Sequence, residues 1–124
     1  MVRYDADHPP DPEAWLALDE GTRIGLVSEY HRRHHRGTPR IRLHSTFHTI
    51  VENQLAEKVE TVVQTLARLQ NEGLTRHEAI HAIGSVLAAQ VFDILKSQPS
   101  GESDPNQAYA TELRALTAAK RRAG

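Results

Sequence analysis

Apolar residues recur along most of this chain at intervals of three and four, the spacing that lines one face of an α-helix. Residues 1–11 are the exception. They are rich in Pro and Asp and are expected to form an extended N-terminal arm, ended by Asp11-Pro12 as N-cap and first helical residue. A short helix with Trp15, Leu16 and Leu18 follows. A second begins between Asp19 and Thr22, carries Ile24, Val27 and Tyr30, runs into "HRRHHRG" and ends at Gly37 and Pro39. From Ile41 the stripe Leu43, Phe47, Ile50, Val51 and Leu55 predicts a third helix, with a break near Lys58 allowed but not forced. The next stripe, Val59, Val62, Val63, Leu66 and Leu69, stops at Gly73, the expected C-terminal glycine. It is wide enough to serve as core or as the seam of a homodimer.

The sharpest boundary lies at Thr75. With Glu78 three residues on, it forms a capping box, in which hydroxyl and carboxylate satisfy backbone N–H groups of the first turn. Ile80, Ile83, Leu87, Val91 and Ile94 mark the buried face of the helix that follows, which ends in "SQPSGESDP". Asp104-Pro105 opens a last helix with Tyr109, Leu113 and Leu116, which frays into "AAKRRAG". No segment alternates as a half-buried strand would. The expected fold is all-α, a compact bundle of five to six helices in a single domain over residues 12–122.

Composition narrows the chemistry. The chain has 124 residues, room for one hydrophobic core, and only 5% aromatics, so that core is expected to be mostly aliphatic. Without cysteine it has neither disulfides nor thiolate ligands, and a metal site must draw on His, Asp or Glu. A formal charge of -1 argues against nucleic acid or an anionic membrane as the main partner. No signal-peptide core opens the chain, and no run approaches the roughly 18 apolar residues that span a bilayer, so a cytoplasmic location is expected. The charge is uneven, however. Arg32, Arg33, Arg36, Arg40 and Arg42 stand together without an acid between them and are candidates for binding an anion or a partner. Tyr30 is their only aromatic companion, which weakens the case for nucleic acid.

The histidines are distributed still less evenly. There are eight, and three pairs have four-residue spacing: His31/His35, His44/His48 and His77/His81. Random placement predicts about half of one such pair. On a helix this spacing stacks two imidazoles one turn apart, within reach of one ion. His44 falls inside the apolar arc of Phe47, Val51 and Leu55 with His48 at its shoulder, and His77 and His81 stand likewise toward Ile80, Leu87 and Val91. Gly84, on the same side, is expected to let a neighbouring helix approach closely. Two facing helices then offer His44, His48, His77 and His81 as metal ligands, with His31, Glu52 and Glu78 as additional candidates and Zn²⁺, Fe or Ni²⁺ as ions suited to imidazole. His31 joins them if Tyr30 and His31 turn inward while the neighbouring arginines face solvent. Against this stands the commoner role of a single shouldered histidine, which packs its ring and bonds a carbonyl. In that case the protein is a helical adaptor or regulatory module whose Arg-rich segment binds its partner.

His77-Glu78-x-x-His81 also matches the metalloprotease pattern. That assignment is disfavoured, because Glu78 is needed for the cap and no edge strand is expected to pair with a peptide substrate. Third-ligand candidates exist in His44, His48, Glu102 and Glu112, but spacing selects none of them. Neither a nucleophile elbow nor a Gly-rich phosphate loop is present.

The segments "YH", "LHSTFH", "VENQLAE" and "GLTRHEAIHAIGSVLA" together resemble a bacterial family classed as a domain of unknown function, over about Trp15 to Leu116. The matching positions are Tyr30, His31, Leu43, His44, His48, Gln54, His77, Glu78 and His81. The resemblance implies a small helical fold and a shared residue set, but no activity. It departs at Asn53, which separates Glu52 from Gln54 where the family pattern joins acid and amide, so Glu52 as a ligand does not carry over.

Overall fold

The computed structural model describes residues 3–34, 40–96 and 105–119. Six helices follow in order: α1 (Pro12–Ala17), α2 (Glu20–His34), α3 (Ile41–Ala56), α4 (Glu60–Asn71), α5 (Arg76–Lys96) and α6 (Pro105–Ala115), with no strand among the described residues. The all-α bundle is as expected. The expected ends at Gly37 and Pro39, the Asp104 cap and most of "SQPSGESDP" lie outside the described residues, as do His35, Arg36 and Glu102.

Local chemistry explains the boundaries. Asp11 caps α1 by accepting from the Ala14 N–H at 3.0 Å, and Asp19 does the same for Thr22 at 3.1 Å. At α5 both halves of the capping box form: the Glu78 carboxylate accepts from the Thr75 N–H at 2.9 Å, and the Thr75 hydroxyl from the Glu78 N–H at 3.1 Å. α4 closes in a Schellman turn, with Leu74 N–H on Leu69 O and Gly73 N–H on Gln70 O around Gly73 at φ 105°. The break near Lys58 is the same turn built without glycine. Val59 N–H reaches Gln54 O at 2.9 Å and Lys58 N–H reaches Leu55 O at 3.1 Å, while Lys58 itself is left-handed at φ 60°.

α3 and α5 form the central pair. α3 packs against α1, α2, α4 and α5, and α5 against α3, α4 and α6. One apolar cluster joins Val51, Val62, Leu69, Ile80, Ile83 and Leu113 across α3 to α6. Val62 and Leu69 of α4 are buried while Val63 and the preceding Val59 stay exposed, so the core takes only part of that wide stripe.

A second cluster corrects the picture of the N-terminal arm. Residues 3–11 are extended apart from a turn at 6–8, but they are not a tail. Tyr4 and Ala6 are buried with Trp15, Val27 and Tyr30. Full burial of a side chain the size of Tyr4 contributes roughly 2 kcal/mol. Hydrogen bonds from Arg76 to the Ala6 carbonyl and from the His77 N–H to Asp7 add to it. By length and composition alone α5 can cross a membrane, at a mean hydropathy of 1.4 over 18 residues, although no run that apolar was expected. Its first half is packed into the bundle and carries Arg76, His77 and His81.

Candidate metal centre

The centre lies where α2, α3 and α5 meet under the arm. His31 comes from the last turn of α2, His48 from the middle of α3, and His77 and His81 from the first two turns of α5. Each offers one ring nitrogen, and these four atoms lie within 4.8 Å of one another. Tyr30 and His31 do turn inward, at 5% and 1% exposure, while Arg32 and Arg33 stay in solvent.

His81 is the hub. Its Nε2 lies 2.9 Å from His77 Nε2, 3.0 Å from His44 Nε2 and 3.2 Å from His31 Nε2. A neutral imidazole nitrogen either donates one hydrogen bond or accepts into one lone pair, so it cannot satisfy three such neighbours at once. Around an ion with nitrogens at about 2.1 Å, by contrast, ligands at right angles lie about 3.0 Å apart and tetrahedral ones about 3.4 Å.

Two tautomers follow from the surrounding bonds. His31 Nδ1 lies 2.8 Å from the Val27 carbonyl, which can only accept, so Nδ1 carries the proton and Nε2 presents its lone pair to the cluster. The His48 tautomer is set from further away, through Arg76, Glu52 and Tyr4. Arg76 holds Glu52 in a buried two-bond pair, Nη1 to Oε2 at 2.7 Å and Nη2 to Oε1 at 2.9 Å. The Tyr4 hydroxyl gives its one proton to Glu52 Oε2. Its oxygen can therefore only accept from His48 Nε2, 2.8 Å away. That leaves the lone pair of His48 on Nδ1. This atom and Ser45 Oγ are the two buried side-chain atoms without a hydrogen-bond partner among the described residues. A lone pair buried beside three other imidazoles is suited to a cation.

The electrostatics agree with these assignments. Burial pushes the His48 imidazole well below its ordinary pKa, and neighbouring His31, His81, His77 and His44 push it further, so it stays neutral and able to ligate. Burial, with the Glu52 charge beside it, raises the Tyr4 hydroxyl well above the usual phenol range, which keeps it a donor. Burial works against the Arg76 charge, but the hydrogen bonds and charge of Glu52 outweigh it and the guanidinium pKa rises.

The candidate residues thus take different places. His48, His77 and His81 share the four-nitrogen group with His31, while His44 is outside it and approaches through His81. Glu52 is not placed to ligate, because Arg76 and Tyr4 occupy its oxygens. It supports His48 through Tyr4 instead. Glu78 is exposed and serves the cap, and Glu112 is exposed on α6. Gly84 is not required for close approach: a Cβ there would meet only Val51 Cγ2, at an ordinary 4.0 Å. Arg32 and Arg33 both pair with Glu29, at 3.6 and 3.9 Å, and Arg40 and Arg42 are exposed at the start of α3. From the resemblance motif, Gln54 accepts a hydrogen bond from Tyr109 at 2.9 Å and Tyr30 packs its ring edge-on to His77.

Sequence reasoning missed Tyr4, Asp7 and Arg76. Asp7 accepts from the His77 N–H at 3.1 Å, and Arg76 Nη1 also holds the Ala6 carbonyl at 3.0 Å, so the arm is tied to the start of α5 beside the clustered histidines. The one available signal was Tyr4 itself, a lone aromatic in an otherwise polar arm. No protein-family model, no curated protein and no solved structure matches this chain.

Proposed function

We propose that this protein binds one transition-metal ion through His31, His48, His77 and His81, with His44 at the margin of the site. The observation that carries the reading is the meeting of four ring nitrogens from three helices within 4.8 Å, one of them a buried lone pair without a partner. Hydrogen-bonded packing histidines rarely leave such an atom, since an unmet buried acceptor costs about 1–3 kcal/mol. An all-imidazole donor set suits Zn²⁺, Fe or Ni²⁺ better than the oxygen-seeking Mg²⁺ or Ca²⁺. The supporting shell has the form that tunes metal sites: a backbone carbonyl on His31, and a Tyr-carboxylate-Arg chain on His48. A protease role is not proposed, because Glu78 is spent on the helix cap.

Elemental analysis of protein prepared without a histidine tag tests this directly. The expected result is close to one equivalent of Zn, Fe or Ni, removed by chelation and restored by adding the ion. Metal at about a hundred times its dissociation constant adds about 2.7 kcal/mol, which for a domain of this size raises the melting temperature by about 10 °C. Less than about a tenth of an equivalent, with melting indifferent to EDTA and to added metal, would overturn the reading. His81→Ala removes the hub and is expected to abolish stoichiometric binding.

A further inference from the structure

A cavity of about 90 Å³ opens against the histidine cluster. His44, His48 and His81 form one of its walls, and Phe47, Ile80 and Ala88 form the apolar remainder, with Gly84 and Ser85 along α5. No charged side chain lines it. The Ser85 hydroxyl donates to the His81 carbonyl at 2.9 Å, which commits its proton and leaves its oxygen able to accept.

We infer that this cavity is a ligand pocket of the metal centre. It takes a neutral or singly charged molecule of about four non-hydrogen atoms or fewer, which gives one donor atom to the ion; the inference rests on the metal-binding reading above. Size sets the first limit: an apolar cavity of about 150 Å³ holds benzene, so one of this volume holds about four such atoms in proportion. Chemistry sets the second. Peptides, sugars and phosphate esters need many hydrogen bonds or fixed cations, and these walls offer only the imidazoles and the Ser85 oxygen, with no Lys or Arg. A diatomic or triatomic ligand needs only the ion at one end and apolar packing along its length. Four imidazoles also leave positions open on an ion that accepts more than four ligands, and the cavity shares His48 and His81 with the site.

The test uses the tag-free protein loaded with cobalt(II), whose visible spectrum reports its ligands, after the metal content has been measured. Azide is the probe of fitting size and benzoate the oversized one. Azide is expected to give a saturable spectral change and benzoate none at equal concentration. Ala88→Phe, which fills the cavity away from the ligating nitrogens, is expected to weaken azide binding at least tenfold without changing cobalt content. No saturable change with azide in protein holding a full equivalent of cobalt would overturn the pocket and leave the metal centre standing. Benzoate binding as tightly as azide, or azide binding unaltered by Ala88→Phe, would place the exchangeable position outside the cavity and overturn the inference too. Failure to take up cobalt would instead remove the metal-binding reading itself. If Ala88→Phe does not fold, the azide and benzoate comparison on the unaltered protein decides.

Discussion

Tyr4→Phe removes one oxygen atom and isolates the support beneath His48. The phenyl ring keeps the packing of Tyr4 against Trp15, Tyr30 and His48, whose ring centroids lie 5.5–5.7 Å away. Glu52 keeps both bonds from Arg76. What is lost are two hydrogen bonds, the one from the hydroxyl to Glu52 Oε2 and the one at 2.8 Å from His48 Nε2, whose proton is then buried without an acceptor. Stranding one buried donor costs about 1–3 kcal/mol, and the metal-free variant is expected to lose that much stability in urea unfolding. Metal affinity has a second reason to fall. The tautomer that presents Nδ1 is no longer enforced, and loss of a supporting hydrogen bond of this kind typically weakens binding 10- to 100-fold. Competition against a chromophoric chelator measures that loss. Unchanged affinity alongside reduced stability would show that the Tyr4 hydroxyl serves stability alone, and the tautomer assignment for His48 would be wrong.

Other perturbations separate the structural roles. Glu78→Ala opens the capping box and is expected to lower stability by about 1 kcal/mol while leaving metal content unchanged; lost metal would return Glu78 to the site. Lys58→Gly relieves a left-handed residue in the turn between α3 and α4 and is expected to raise stability by about 1 kcal/mol in chemical denaturation. For pH the sign follows from His48. Its folded pKa lies below its unfolded value, so the unfolded chain takes up more protons in acid. The stability of the metal-free protein is full above about pH 6.5 and falls as pH drops below it; melts that are flat from pH 7 to 5 would contradict the burial of His48 as a neutral ring.

Much of the bundle was legible because helices announce themselves through periodic apolar residues and local caps. Thr75 with Glu78, Asp11 with Pro12, and Gly73 each act within a few residues, so their chemistry is written in adjacent letters. The turn at Lys58 was less legible because its stabilising bonds are backbone ones that any side chain allows, and glycine, the usual marker, is absent. The paired histidines pointed toward the interior, and His48, His77 and His81 do come together there. What periodicity does not carry is partnership across distance. Glu52 read as a ligand because it lies one turn past His48, and only the fold brings Arg76 and Tyr4 onto its oxygens. His31 and His44 differ for the same reason: wheel position gives a direction toward the core, but the packing of α2, α3 and α5 decides which nitrogens come together.

The central claim is that four imidazoles from three helices hold one ion. A crystal structure of the metal-loaded protein, with diffraction recorded at the absorption edge of the bound metal, tests it most directly. The account predicts a single anomalous peak bonded to Nε2 of His31, Nε2 of His81, a ring nitrogen of His77 and Nδ1 of His48. A peak elsewhere in the molecule, or a full set of histidines hydrogen-bonded to one another and to water with no peak among them in protein soaked with the metal, would contradict it.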